Sequence, residues 1–281
     1  MPSTRPAQAV EVLLFKQLST IVRAVRTTTA TNYKQRVSPI LKMLATRLPQ
    51  SERQSLIERL RLELSLSRAE AIRLVDDASA FLYAAQAVRS VRVYVGNSLL
   101  KTGLQAGIKL GFDPLATNGK LLASTMLRIK EAAKLIKSIP VQHHVRVEKA
   151  VLSALRTGQS TSDLAKEIER IGSITRRRAR IIARDQVGTA LGEVTRIQQQ
   201  SLGLKRFRWQ TMSDERVRPA AGQKVRAGYN HRALHGRIFT WAEGAPKIYS
   251  YSGRPGVDIL CRCQALPVIE DVKNLGEPAR E

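Results

Sequence analysis

The chain has 281 residues, 43% of them hydrophobic, enough apolar material for one large or two ordinary folded domains, which excludes a disordered basic tail. Lys and Arg number 47 against 23 Asp and Glu, a formal net charge of +24 that points to a polyanionic partner, most simply nucleic acid. Two cysteines in the whole chain exclude a disulfide-stapled secreted scaffold and fit a reducing compartment.

No export by a leader is expected: the apolar residues of the first 25 positions are broken by Glu11, Lys16 and Arg23, and no cleavage site follows them. No apolar run approaches the roughly 18–20 residues of a membrane helix, so no membrane partner is expected. Val10, Leu13, Leu14, Leu18, Ile21, Val22 and Val25 recur at helical spacing and predict an amphipathic helix over 7–26. A second helical stretch runs to Leu48 and stops at Pro49, and the next restarts with Ser51 as N-cap and Leu56, Leu60 and Leu64 on one face. Ser67 and Glu70 have capping-box spacing, after which a long helix continues with few breakers before Gly96. Gly103, Gly107, Gly111, Pro114 and Gly119 punctuate a loop-rich segment where a change of subdomain is expected.

From Lys120 one helix is predicted to end before Pro140, and the next to end at Gly158. A short helix then starts at Ser160 or Thr161, carries a stripe of Leu164, Ile168 and Ile171, and stops at Gly172; Thr175 caps another that Gly203 closes. At Lys205 the period changes. Phe207, Trp209 and Thr211 alternate with Arg206, Arg208 and Gln210, the pattern of a half-buried strand, and "RIFTW" and "DILCRCQALPV" read as further short strands. The expected fold is α+β: mainly α-helical in the N-terminal two thirds, with helical regions 1–125 and 126–204, then a small α+β domain 205–270 and a tail 271–281.

Several residue groups carry chemistry. Arg176, Arg180 and Arg184 repeat every fourth position on one helix face, with Arg177 beside them, a row suited to phosphates or to partner carboxylates and equally to a solvated face. Gly188 and Gly192, one turn apart, suggest close helix contact. Cys261 and Cys263, two apart on a strand, would face the same side; with His231 or His235, and with Asp214, they can complete a tetrahedral zinc site, while two small buried hydrophobes explain them as well. Asp214, His231 and His235 also admit acid–base chemistry, as in a metal-dependent nuclease or another nucleic-acid enzyme. No nucleophile elbow, P-loop, Rossmann fingerprint or H-E-x-x-H accompanies them, so a non-enzyme is expected.

The ordered stretches "IKSIP", "STSDLAKEI", "RRRARIIARDQVG", "LGLKRFRWQTMSDERVRP", "HRALHGRIFTW" and "PGVDILCRCQALP" resemble the phage Mu F-type minor head proteins, a family of phage head morphogenesis proteins, from about Leu127 to Val268. The resemblance implies a low-copy structural protein of the virion, associated with the portal vertex and built in from the host cytoplasm during head assembly. Its implied partners are portal protein, major capsid or scaffold proteins and packaged double-stranded DNA; the residues expected from charge and spacing to meet DNA or a partner are Arg176, Arg177, Arg180, Arg184, Arg206 and Arg208. Asp214, Arg216, Arg218, His231, His235, Gly236, Cys261 and Cys263 would then be a signature that holds a fold together, with no turnover and no required cofactor. The sequence departs from the family pattern at "AAGQKVRAGYN", which separates Pro219 from His231 where relatives have a very short link.

Overall fold

A computed structural model describes residues 8–107, 118–214, 217–219 and 223–269. The expectations for Gly111, Pro114, Arg216 and the 271–281 tail fall outside these residues. Helices α1 (Gln8–Asn32), α2 (Ser38–Leu44), α3 (Gln50–Arg73), α4 (Asp77–Gln105), α5 (Gly119–Thr157) and α6 (Thr161–Ser201) come first, with a π-helical turn at Tyr33–Val37 between α1 and α2. Strands β1 (Arg206–Gln210), β2 (Ile238–Thr240) and β3 (Gln264–Pro267) follow and form one antiparallel sheet in the order β2-β1-β3. The chain is therefore mainly helical with a small α+β C-terminal part.

The helices are longer than the sequence predicts, because residues that usually end a helix are used here for packing. Pro140 lies inside α5, directly after the completely buried Ile136 and Ile139. Gly172 lies inside α6, and a Cβ there would sit 2.5 Å from Arg26 Nε, so the glycine makes room for that side chain. Ser67 and Glu70 lie inside α3; they accept from Asn32 Nδ2 at 3.1 and 2.7 Å, and so satisfy a buried amide. The N-cap position of α3 is Pro49, one residue ahead of the helix and two ahead of Ser51. Gly96 and Gly103 are interior to α4, whose first turn is capped instead by Asp76 accepting from Ser79 N at 2.6 Å. Gly158 and Gly203 do close their helices, both at positive φ.

Two compact units form, each discontinuous in sequence: one from the described residues within 1–13, 84–130 and 184–281, the other from 14–83 and 131–183. The second unit is all helical, with Leu60, Val151, Leu164 and Ile171 among its buried residues. Thr175, expected as a cap, is buried there, and its hydroxyl donates to the Ile171 carbonyl at 2.9 Å. Having spent its proton, that oxygen accepts from His143 Nδ1 at 2.9 Å. Thr29 repeats the arrangement, donating to the Val25 carbonyl at 2.7 Å and meeting His144 Nε2 at 3.1 Å.

Both rings are thus held neutral. Burial lowers each pKa to about 4, helped at His143 by His144, Arg146 and Arg26, and at His144 by Arg68 against the opposing pull of Glu70. Because the folded pKa lies below the ordinary value, the contribution is complete above about pH 6.5. It is lost as pH falls toward 4, at up to about 1.4 kcal/mol per pH unit for each histidine. Urea unfolding followed by far-ultraviolet circular dichroism at pH 7 and pH 5 should show the midpoint falling, and His143→Gln with His144→Gln should flatten the dependence. An equal slope in the double variant would assign the acid sensitivity to other groups.

Candidate functional site

The sheet begins the site. Phe207 and Trp209 on the central strand β1 are completely buried, in register with Phe239 and Ala265, and the Phe207 and Trp241 rings lie 4.2 Å apart. Thr211 continues the buried face, as the alternation predicts. With Leu234, Trp241 and Ala245 these side chains enclose Cys261 and Cys263.

The C-terminal half of α6 supports the loop that carries the cysteines. Asp185 Oδ1 accepts from Leu260 N at 2.7 Å, which pins a residue at φ 56, a conformation costly for a branched side chain. Gly188 and Gly192 face the same loop: a Cβ on Gly188 would lie 3.1 Å from the Cys261 carbonyl oxygen, and one on Gly192 would lie 2.5 Å from that of Pro255. The glycine pair therefore receives loop backbone where the sequence suggested a second helix. Further along, Gln199 Nε2 donates to the Ala265 carbonyl at 2.9 Å and ties β3 to the same helix.

Cys261 and Cys263 precede β3 and are not on a strand, because the ladder begins only at Gln264. Their thiols nevertheless converge on one imidazole. His231 Nδ1 lies 3.3 Å from Cys261 Sγ and 3.7 Å from Cys263 Sγ, and all three residues are buried. On its other side His231 Nε2 donates to Asp258 Oδ2 at 2.9 Å. Asp258 accepts as well from Ser250 Oγ at 2.7 Å and from Ser252 N at 2.8 Å. The Trp209 ring packs edge-on against the imidazole at 5.4 Å.

The electrostatics follow from this chain of contacts. Burial would raise the Asp258 carboxyl, but the donors from His231, Ser250 and Ser252 bring its pKa down to about 2. Burial would likewise depress His231, and the Asp258 bond with the Cys261 sulfur reverses this, to about 9. The neighbouring Cys263 side chain lowers Cys261 well below the ordinary thiol value, with help from His231 and from the Cys263 N–H at 3.4 Å, while Cys261 and burial raise Cys263 well above it. Trp209 Nε1, fully buried, has no hydrogen-bond partner at normal distance, yet stands near enough to Cys263 to pull that thiol's pKa down.

The other signature residues have separate partners. His235 is exposed, and its Nδ1 accepts from Thr211 N at 3.2 Å, apart from the sulfur pair. Asp214 is held by a two-pronged pair with Arg262, one prong Nη1 to Oδ2 at 2.6 Å. Gly236 takes a positive φ and donates its N–H to the Trp209 carbonyl at 2.8 Å. Arg218 stacks on Tyr229 at 4.6 Å, its carbonyl accepts from Arg232 N at 2.9 Å, and Tyr229 bridges to Ser250, so the chain is held at Arg218 before the "AAGQKVRAGYN" segment and at Tyr229 near its end. Arg176, Arg177 and Arg180 are exposed, with Arg180 over the Phe15 ring at 4.8 Å; Arg184 and Arg206 are half-buried and Arg208 is exposed.

Residues 145–266 match the family described as Phage Mu protein F like protein. The Mu F-like region thus contains the arginines of α6, all three strands but the last residue of β3, and the whole His231–Cys261–Cys263 cluster with Asp258. An uncharacterized protein of Haemophilus influenzae (strain Rd) is 33% identical over 171 residues, 61% of this chain and 34% of that protein. The chain spans about a third of the length of this relative. No solved structure matches. Among the described residues no helix is long and apolar enough to cross a membrane.

Asp258 and Ser250 are the site residues that composition and spacing did not single out; Asp185, which the sequence suggested as a partner for the arginine row, accepts from Leu260 N. Asp258 does fall in the "PGVD" stretch of the family resemblance, three residues before Cys261. Its task as the orienting partner of His231 is set by contacts 27 residues apart.

Proposed function

We propose that this protein is a phage head morphogenesis protein, a minor capsid component that docks at the portal vertex and presents basic surface to packaged double-stranded DNA. The Mu F-like match over 145–266 carries the proposal, and the net charge of +24 supports the DNA contact independently. Arg176, Arg177 and Arg180 supply exposed guanidiniums on one helix, and Arg208 adds another on β1. Each can fork onto a phosphate without reading sequence. The nuclease alternative loses support from the geometry, because Asp214, His231 and His235 are each engaged by a different partner, Arg262, Asp258 and Thr211.

Quantitative mass spectrometry of nuclease-treated particles tests the placement: a copy number at or below that of the portal protein is expected. Absence from both proheads and mature particles would overturn it. The DNA contact has its own measure. Affinity for duplex DNA should fall linearly with salt on logarithmic axes, and substituting Arg176, Arg177 and Arg180 with Gln should reduce that slope by about 0.9 for each phosphate contact removed. An unchanged slope would place the DNA-facing surface elsewhere.

A further inference from the structure

We infer that His231 Nδ1, Cys261 Sγ and Cys263 Sγ bind one zinc-type divalent ion. The first support is spacing. Bond lengths of about 2.0–2.1 Å to imidazole nitrogen and 2.3 Å to thiolate give tetrahedral nitrogen–sulfur edges of about 3.6 Å. His231 Nδ1 stands 3.3 and 3.7 Å from the two sulfurs, on either side of that value.

The second support is the orientation of the ring. Asp258 accepts a hydrogen bond from Nε2–H, so Nδ1 is the ring atom turned toward the thiols, the carboxylate–histidine arrangement that steadies a metal-ligating imidazole. Ser250 and Ser252 fix the carboxylate in turn. A third support is the indole N–H of Trp209, which is buried in the same cluster as Cys263 and has no hydrogen-bond partner, a donor that a metal-bound thiolate would satisfy better than a thiol.

The fourth vertex has a place. Met212, Val217, Arg218, Leu260 and Arg262 line a small cleft beside the three ligands, with about 20 Å³ free for a water molecule. Burial separates this reading from a catalytic one: Cys261, His231 and Asp258 are ordered as in a nucleophile triad, but Cys261 is only 6% exposed. The ion would join the His231 turn to the loop ahead of β3, segments 30 residues apart in sequence. This inference does not depend on where the protein sits in the particle.

The full chain, purified under reducing conditions from zinc-supplemented cells, is analysed for metal by plasma mass spectrometry. About one zinc per chain is expected, retained in His235→Ala and reduced at least about tenfold in a Cys261→Ser, Cys263→Ser variant. Equal zinc in the wild type and the double variant would place the ion elsewhere and overturn the assignment.

A second measurement avoids any dependence on the variants folding. The chain has only two cysteines, so the near-ultraviolet thiolate-to-cobalt band that appears when Co²⁺ is added to metal-free wild-type protein must come from Cys261 and Cys263. Bound metal should also protect both from alkylation, read as intact mass. Less than about 0.1 zinc per chain, with no such band and no protection, overturns the proposal.

Discussion

Asp258→Ala should destabilise the C-terminal module by about 3–5 kcal/mol, the scale for removing one member of a buried charge pair. The carboxylate is 4% exposed and accepts from His231 Nε2, Ser250 Oγ and Ser252 N, so alanine strands all three donors in a dry environment. Asp258→Asn keeps the volume but points an amide N–H₂ at a site built for acceptors, and an intermediate loss is expected. Both tryptophans of the chain, Trp209 and Trp241, lie in this module, so their fluorescence during urea unfolding reports on it directly. A midpoint within error of wild type for Asp258→Ala would mean that the three donors find other acceptors.

Gly192→Ala should cost about 3 kcal/mol by the same assay. The added Cβ meets the Pro255 carbonyl oxygen at 2.5 Å and Val257 Cγ2 at 3.2 Å. The nearest obstacle is backbone, which cannot swing aside as a side chain would. Gly188→Ala, where the nearest atom is 3.1 Å away, should be milder. The ordering of the two variants matters more than either value. If Gly192→Ala proves neutral, helix α6 and the Pro255–Cys261 loop are less closely seated than their geometry implies, since alanine is otherwise favoured over glycine within a helix.

The periodic signals in the sequence carried far. The stripe of α1 is mostly buried at Leu14, Leu18, Ile21, Val22 and Val25, and the alternation of β1 puts Phe207, Trp209 and Thr211 inside, because both patterns are direct consequences of backbone geometry. Helix ends were less legible. Pro140, Gly172, Thr175 and the Ser67–Glu70 pair all look like punctuation, but tertiary contacts took them over: Thr175 serves His143, Ser67 and Glu70 serve Asn32, and Gly172 yields space to Arg26.

The site divided in the same way. His231, Cys261 and Cys263 were recognisable by residue type, whereas the choice between His231 and His235 was not, because it depends on which ring the sheet turns inward. Thr211 holds His235 at the surface edge of the module, while Trp209 and Asp258 fix His231 beside the sulfurs. Glycine spacing announced a close approach to α6 without saying that loop backbone, and no second helix, would fill it.

The anchors at Arg218 and Tyr229 make the "AAGQKVRAGYN" segment a natural port for labels. Arg218 and Arg232 are joined by a backbone bond, and Tyr229 is anchored both to Ser250 and under the Arg218 guanidinium, so extra length between them need not disturb the cluster beyond. Doubling the length of a connecting segment costs only about 0.6 kcal/mol of closure entropy. A short epitope or fluorophore-acceptor peptide grafted there would let the protein be seen inside an assembling head while its core stays as it is.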